Sequence, residues 1–232
     1  MSLRILFLCS GGGGNLRFIH ETVNQQWLHD TVICGVLTDR ECGANHFSVK
    51  NNIENQVVDF DLSEQDRLFN KINKFNPDLI VTTVNKIISD KIVSAWRGKL
   101  INLHYSLLPA FGGVIGSMPA RQALEYGVKF VGTTVHFVSE KVDAGYPIVQ
   151  SVTPVYPTDK ENQVMEYLFR CGSICLFTSI VNLSQQPSAQ SMAFEMIEFN
   201  GRKSYFNPDA IVPDKVKKEA FWQEIKNYAT EN

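Results

Sequence analysis

The sequence predicts an α/β protein: a doubly wound, mostly parallel sheet flanked by helices and extended at one edge by antiparallel strands. Three observations carry this. Short apolar strand patterns alternate with helical patterns over the first half of the chain, which implies right-handed crossovers and a sheet covered on both faces. A run of four glycines, Gly11 to Gly14, joins the first strand to the first helix. Later, two strand patterns (129–138 and 146–155) follow one another with no helix between them, as an antiparallel pair allows.

The elements follow in order. "LRILFLC" (3–9) is an apolar run stopped by Ser10 and glycine, a buried strand. Residues 15–28 space Leu16, Ile19, Val23 and Trp27 as a helix does, and 31–39 form a second strand. A short helix near 41–50 and a weaker strand at 56–60 come next. Residues 63–75 are helical with Ser63 as the expected cap. Residues 78–84 and 99–105 are the fourth and fifth strands, and 118–127 is a helix closed by Gly127. Beyond the antiparallel pair lie a long amphipathic helix (159–183), a hairpin (193–206) and a short helix (215–229). No repeat, low-complexity tract or linker interrupts the chain, so residues 1–232 are expected to form one domain.

Bulk properties exclude several classes of function. The formal net charge is −2, which implies no broad basic surface for a nucleic-acid backbone and leaves room only for a local basic patch. Read residue by residue, no stretch approaches the roughly 20 apolar residues of a membrane span. The apolar run from Ile5 to Cys9 is too short for a signal peptide. Five cysteines, an odd number without zinc-type spacing, argue for a reducing cytoplasm and against a metal or a disulfide scaffold. Cys171 and Cys175, one helical turn apart, read as core residues. Oligomeric state is not legible.

Two stretches carry chemistry. The glycine loop sits where a parallel sheet exposes helix amides at its carboxyl rim, a setting for an anion such as phosphate. It does not fit the dinucleotide fingerprint, whose last glycine falls on Leu16 or Arg17, and it lacks the lysine of a Walker loop. In "LINLHYSLLPAF" (100–111), Asn102 and His104 point to one face at the end of a buried strand. An amide N–H beside an imidazole makes a trap for an oxyanion. A proton-handling histidine usually has a carboxylate nearby, and "SEKVDAGYP" (139–147) offers Glu140 and Asp143. His20, His29, His46 and His136 have no such setting and read as surface, packing or structural residues.

In order and spacing, "CSGGGGNL", "INLHYSLLP", "RQALEYG", "GTTVHFV" and "VDAGYPIVQ" resemble the folate-dependent formyltransferases. The resemblance covers about 3–155, weakens in the long helix and fades after 190, leaving 190–232 as a divergent C-terminal extension. It implies a Rossmann-type formyltransferase fold and formyl transfer from 10-formyltetrahydrofolate to the amine of a small phosphorylated acceptor. In the purine-synthesis branch, the most similar one, that acceptor is phosphoribosylglycinamide. It further implies Asn102, His104 and Asp143 as catalytic residues, with Asp143 holding His104 protonated. The acceptor's phosphate would lie against Gly13, Gly14 and Asn15. The pterin would contact Asn85, Lys86, Ile87 and Ile88 and the loop 138–143, Val142 included.

Three departures from the purine enzymes concern the acceptor and the folate pocket. The loop "AFGGVIGSMPA" is longer and lacks their histidines; "TTVNKII" (82–88) replaces a different pocket wall; and Gly172 stands where they carry a glutamate toward the glycinamide. Alternatives are a nucleotide-linked amino sugar as acceptor, a formyltetrahydrofolate hydrolase, or a non-catalytic folate-binding module.

Overall fold

The computed structural model describes residues 2–114, 118–185 and 190–227. They divide into two compact units, one of residues up to 102 with 137–140 and 223–227, the other of 103–136 and 141–222. In the first unit, apolar runs form five parallel strands: β1 (Leu3–Cys9), β2 (Thr31–Thr38), β3 (Asn55–Val57), β4 (Leu79–Thr83) and the start of β5 (Leu100–His104). Their order is β3-β2-β1-β4-β5. The connections carry α1 (Gly14–Asn24), α2 (Gly43–Lys50), α3 (Gln65–Phe75) and α4 (Asp90–Ala95). Leu6, Leu8, Leu37, Phe60, Ile72 and Trp96 are among the residues of one apolar core.

Two helix boundaries differ from expectation. The first helix ends at Asn24 rather than 28. The amides of Gln26 and Trp27 bond to the carbonyls of Val23 and Thr22, and Gln26 takes a left-handed φ of 56°, a Schellman stop. Trp27 keeps helical spacing by coincidence; it is buried as an anchor beyond the helix. Ser63 is not a cap. It lies in a 3-10 turn (Leu62–Glu64), and α3 starts at Gln65, with no side-chain capping bond at Glu64. Gln65 is instead buried, donating to the Phe60 carbonyl (2.6 Å) and accepting from the Ser89 amide (3.1 Å).

In the second unit, four antiparallel strands run in the order β6-β7-β9-β8: β6 (Phe130–Phe137), β7 (Pro147–Pro154), β8 (Ser191–Phe199) and β9 (Arg202–Pro213). The helices are α5 (Met118–Tyr126), closed by Gly127 at φ 81°, and α6 (Glu161–Ser184), which packs on β7 and β9. A 3-10 turn (Asp214–Lys217) precedes α7 (Glu219–Asn227), so the C-terminal helix starts later than 215; residues 228 and 229 lie outside the described residues. The hairpin is longer than predicted. Pro208 reads as a breaker, but it sits where the β8–β9 register shifts, between Phe194 and Met196, and needs no ladder bond there.

By length and composition α6 could cross a membrane, which the residue-by-residue reading missed, but 78% of that span is buried. Its cysteines behave as core residues. Cys175 Sγ accepts from the Thr133 hydroxyl at 3.5 Å, and burial pushes its thiol up to about 12. All five cysteines are unpaired. Paired charges tie the chain's last elements to α6 and its approach. Arg170, buried, donates to Glu166 and Glu219 at 2.6–2.9 Å, and Arg202 holds Asp159 with two bonds of 2.7 Å.

Gly35 shows how closely β2 and α3 pack. The β1–β2 register steps from Ile5↔Ile33 to Leu6↔Gly35, and a Cβ at Gly35 would overlap the Phe75 ring. Gly35→Ala is therefore expected to lower stability by about 1–3 kcal/mol, the usual cost of overpacking a core, read as a lower urea midpoint at unchanged slope.

Candidate active site

The site begins where β5 runs out. Ile101 and Leu103 are buried on one face of the strand, so Asn102 and His104 share the other with Leu100; Asn102 is half-buried and His104 7% exposed. The chain then turns through a loop fastened to the antiparallel strands. Thr134 Oγ1 donates to the Ser106 carbonyl (2.8 Å) and accepts from the Leu108 amide (3.1 Å), while Gln150 Nε2 donates to the Leu108 carbonyl (3.1 Å). At the loop's end Phe111 and Gly113 take left-handed φ values of 57° and 78°. That turn brings the Phe111 carbonyl within 3.1 Å of His104 Nε2 and the Gly113 amide within 2.8 Å of Asp143 Oδ2.

Asp143 is the centre of the cluster. It adopts a left-handed φ of 52°, in the turn closed by the Ala144 amide on the Lys141 carbonyl. One carboxylate oxygen, Oδ2, lies 3.5 Å from His104 Nδ1; the other, Oδ1, lies 3.6 Å from His136 Nε2. Burial pushes this carboxyl up. The hydrogen bonds from His136 and the Gly113 amide, with the electrostatic attraction of the neighbouring histidines, outweigh burial and hold it below the usual aspartate range.

His104 moves the other way from expectation. Burial lowers its pKa, and the Asp143 carboxylate and the Phe111 carbonyl only partly offset that. Desolvation thus exceeds the pull of one carboxylate and works against the protonated ring that was expected. Nε2 faces a carbonyl and so carries the proton, leaving Nδ1 to receive a second one against Asp143.

His136, read from the sequence as structural, belongs to the cluster. Its alternating strand hid it; its placement opposite a loop that follows the same strand was the available signal. Glu140, the other candidate carboxylate, is instead paired with Arg97. His29 and His46 are exposed, and His20 is edge-on to Phe47.

The remaining expected residues lie largely in the first unit. Gly13 has a φ of 74° at the entry to α1, Gly14 is the first helical residue, and Asn15 is buried. Asn85 is exposed and its amide donates to Ser10 Oγ (3.0 Å); Lys86 pairs with Asp61 (2.6 Å). Ile87 is exposed, whereas Ile88 packs into the first unit's core. Val142, in the second unit, is half exposed at 52%. Gly172 faces Leu103 and Tyr105, whose atoms lie 3.1–3.2 Å from where a Cβ would stand. Part of the long loop before α5, residues 115–117, lies outside the described residues.

Comparison with known proteins gives the family. The family described as "Formyl transferase" matches residues 3–180. The phosphoribosylglycinamide formyltransferase of Escherichia coli is 32% identical over 174 residues, covering 70% of this chain and 78% of that one. The chloroplastic phosphoribosylglycinamide formyltransferase of Vigna unguiculata is 31% identical over 171 residues, 69% of this chain; the match spans only 54% of that relative's length. Among solved structures, the phosphoribosylglycinamide formyltransferase of Anaplasma phagocytophilum superimposes with a TM-score of 0.73 at 26% identity, over 83% of this chain and 90% of that one. With a family match extending over most of its length, this chain belongs to the formyl transferase family.

Proposed function

We propose that the chain transfers a formyl group from 10-formyltetrahydrofolate to the amine of a small phosphorylated acceptor, with phosphoribosylglycinamide of purine biosynthesis as the leading candidate. The observation that carries this reading is the pairing of the His104 imidazole with the Asp143 carboxylate, at the end of the strand that also presents Asn102. The names of the relatives support it, and unpaired cysteines suit a reducing cytoplasm. Residues 1–232 are read as one formyltransferase-like domain, with 190–232 as its divergent extension.

In the proposed reaction the neutral amine nitrogen attacks the formyl carbon carried on N10. A C–N bond forms, and the carbonyl electrons collect on oxygen as a tetrahedral oxyanion. Asn102 donates its amide N–H to that oxygen. His104 Nε2–H, which donates to the Phe111 carbonyl, exchanges that acceptor for the oxyanion. The amine's proton passes to N10, through the imidazole or an ordered water, and the C–N10 bond breaks to release tetrahydrofolate. Asp143 orients the ring and stabilises it whenever Nδ1 takes up a proton. Gly13, Gly14 and Asn15 are assigned to the acceptor's phosphate, and Asn85 to Ile88 with Val142 to the folate. At Gly172 no carboxylate is available, and Leu103 and Tyr105 fill the adjoining space, so other groups of this chain must hold the acceptor.

A chromogenic 10-formyl folate analogue, mixed with the protein with and without phosphoribosylglycinamide, tests the reading optically. Amine-dependent deformylation supports it; release without amine identifies a hydrolase, and binding without release a non-catalytic module. In an active preparation, Asn102→Ala should lower turnover by about 10²–10³, the usual size for one oxyanion donor. An unchanged rate would remove Asn102 from the mechanism.

The lowered pKa of His104 also makes a stability prediction. As pH falls below the ordinary histidine value of 6.5, the unfolded chain binds a proton that the folded chain still refuses. Stability should therefore decline from about pH 6.5 downward until His104 itself protonates. His20, also lowered by burial, adds to the same decline. Urea midpoints between pH 7.5 and pH 5 should fall less steeply in His104→Asn than in the natural chain. In Asp143→Asn, loss of the carboxylate that raises the His104 pKa should carry the His104 part of the decline to lower pH.

A further inference from the structure

The glycine loop holds a cation that the proposed mechanism does not use. Arg17 lies in the first turn of α1, a helix of 11 residues, and is 8% exposed. Its Nη2 donates to the Gly12 carbonyl inside the loop, and its guanidinium lies 5.9 Å from the centre of the Phe47 ring. Its Nε is buried without a hydrogen-bond partner among the described residues. Burial lowers its pKa, and no carboxylate offsets that effect. An Arg this buried is normally paired, because desolvating a lone charge is costly.

The surrounding loop has used its acceptors. The Ser10 carbonyl accepts from Arg40 Nη2 (2.6 Å), the Gly11 carbonyl from the Ala44 amide (3.2 Å), the Gly12 carbonyl from Arg17, and the Gly13 carbonyl from the Arg17 amide (2.9 Å). The first-turn amides of a helix, by contrast, have no acceptor within the helix. Approach is close throughout: a Cβ at Gly13 or at Gly43 would come within 3.0 Å of backbone in α2 or in the loop.

We propose that Arg17 is the counter-charge that makes the glycine loop selective for a phosphate monoester, and so sets the class of acceptor. The charges match. A helix N-terminus contributes roughly half a positive charge, and one unpaired guanidinium adds another whole one. A phosphate monoester carries about −1.5 to −2 at neutral pH, whereas a phosphodiester linkage carries only about one negative charge per phosphorus. Arg17 acts as a positioning residue, through its charge and through the Gly12 carbonyl. The inference rests on reading the loop as the acceptor's phosphate site, and it favours a sugar monophosphate over a nucleotide-linked sugar.

The test is thermal unfolding of the full chain, titrated with inorganic phosphate at pH 8 and in parallel with dimethyl phosphate. The natural chain, Arg17→Met and Arg17→Lys are compared, with folding checked by far-UV circular dichroism. Phosphate should raise the Tm of the natural chain and of the lysine variant. The methionine variant should need about ten times more phosphate for the same rise, the equivalent of one lost charge contact. Dimethyl phosphate should raise none of them. An equal phosphate response in natural and methionine chains, an equal response to the diester, or no response in the natural chain overturns the inference. If Arg17→Met does not fold, loss of the response in a folded Arg17→Lys chain overturns it, and retention together with rejection of the diester upholds it.

Transfer kinetics separate this inference from the reading it rests on. In Arg17→Met the KM for the phosphorylated acceptor should rise about tenfold with kcat little changed. An Arg17-dependent phosphate response in a chain that transfers formyl to no amine would sink the formyl-transfer reading and leave Arg17 standing. Transfer with an unchanged acceptor KM in Arg17→Met would do the reverse.

Discussion

One buried carboxylate organises the second unit's polar centre. Asp143 faces His104 with one oxygen and His136 with the other, and the Gly113 amide supplies a third partner. Burial by itself pushes the carboxyl up; these groups outweigh burial and favour the charged carboxylate. The same charge is what keeps the His104 ring oriented. Two residues in left-handed backbone, Phe111 and Asp143, are held by these bonds in conformations that side-chain-bearing residues seldom adopt.

The arrangement depends on a rigid periphery. Thr134 and Gln150, on neighbouring antiparallel strands, anchor the loop that carries the Phe111 carbonyl, while α6 backs those strands with a fully buried stripe. Arg170, within α6, binds Glu219 of α7, and Arg202 of β9 binds Asp159 just before α6, each through two bonds to one carboxylate; both guanidinium groups also lie over aromatic rings. In the first unit a different economy holds. There the glycine loop consumes its carbonyls on Arg40, Arg17 and Ala44, and one guanidinium is left without an acid.

Periodicity and turn chemistry made most of the fold legible. Strands β1, β2, β4 and β5 are apolar runs bounded by breakers, and each falls within a residue or two of its predicted span. The failures have a common form. Trp27 and Ser63 obey helical and capping patterns, but the Schellman bonds to Thr22 and Val23 end the first helix, and α3 starts at Gln65, whose buried side chain bonds Phe60 and, 24 residues on, Ser89. The hairpin runs past its expected end because Pro208, which has no donor, falls where the register shifts and no ladder bond is required.

For the site, Asn102 and His104 stood out because a polar pair at the end of a buried strand has no cheap structural excuse, whereas Asp143 was one of two candidate carboxylates and was singled out only by the family resemblance. By itself the sequence determined the strand–helix alternation, the glycine turn and that same-face pair, since all three follow from local backbone geometry. Tertiary structure alone decided that His136 shares the carboxylate, that Glu140 goes to Arg97 and that burial lowers the His104 pKa. Partner choice and desolvation depend on what surrounds a group in space, and that information is spread over segments far apart in the chain.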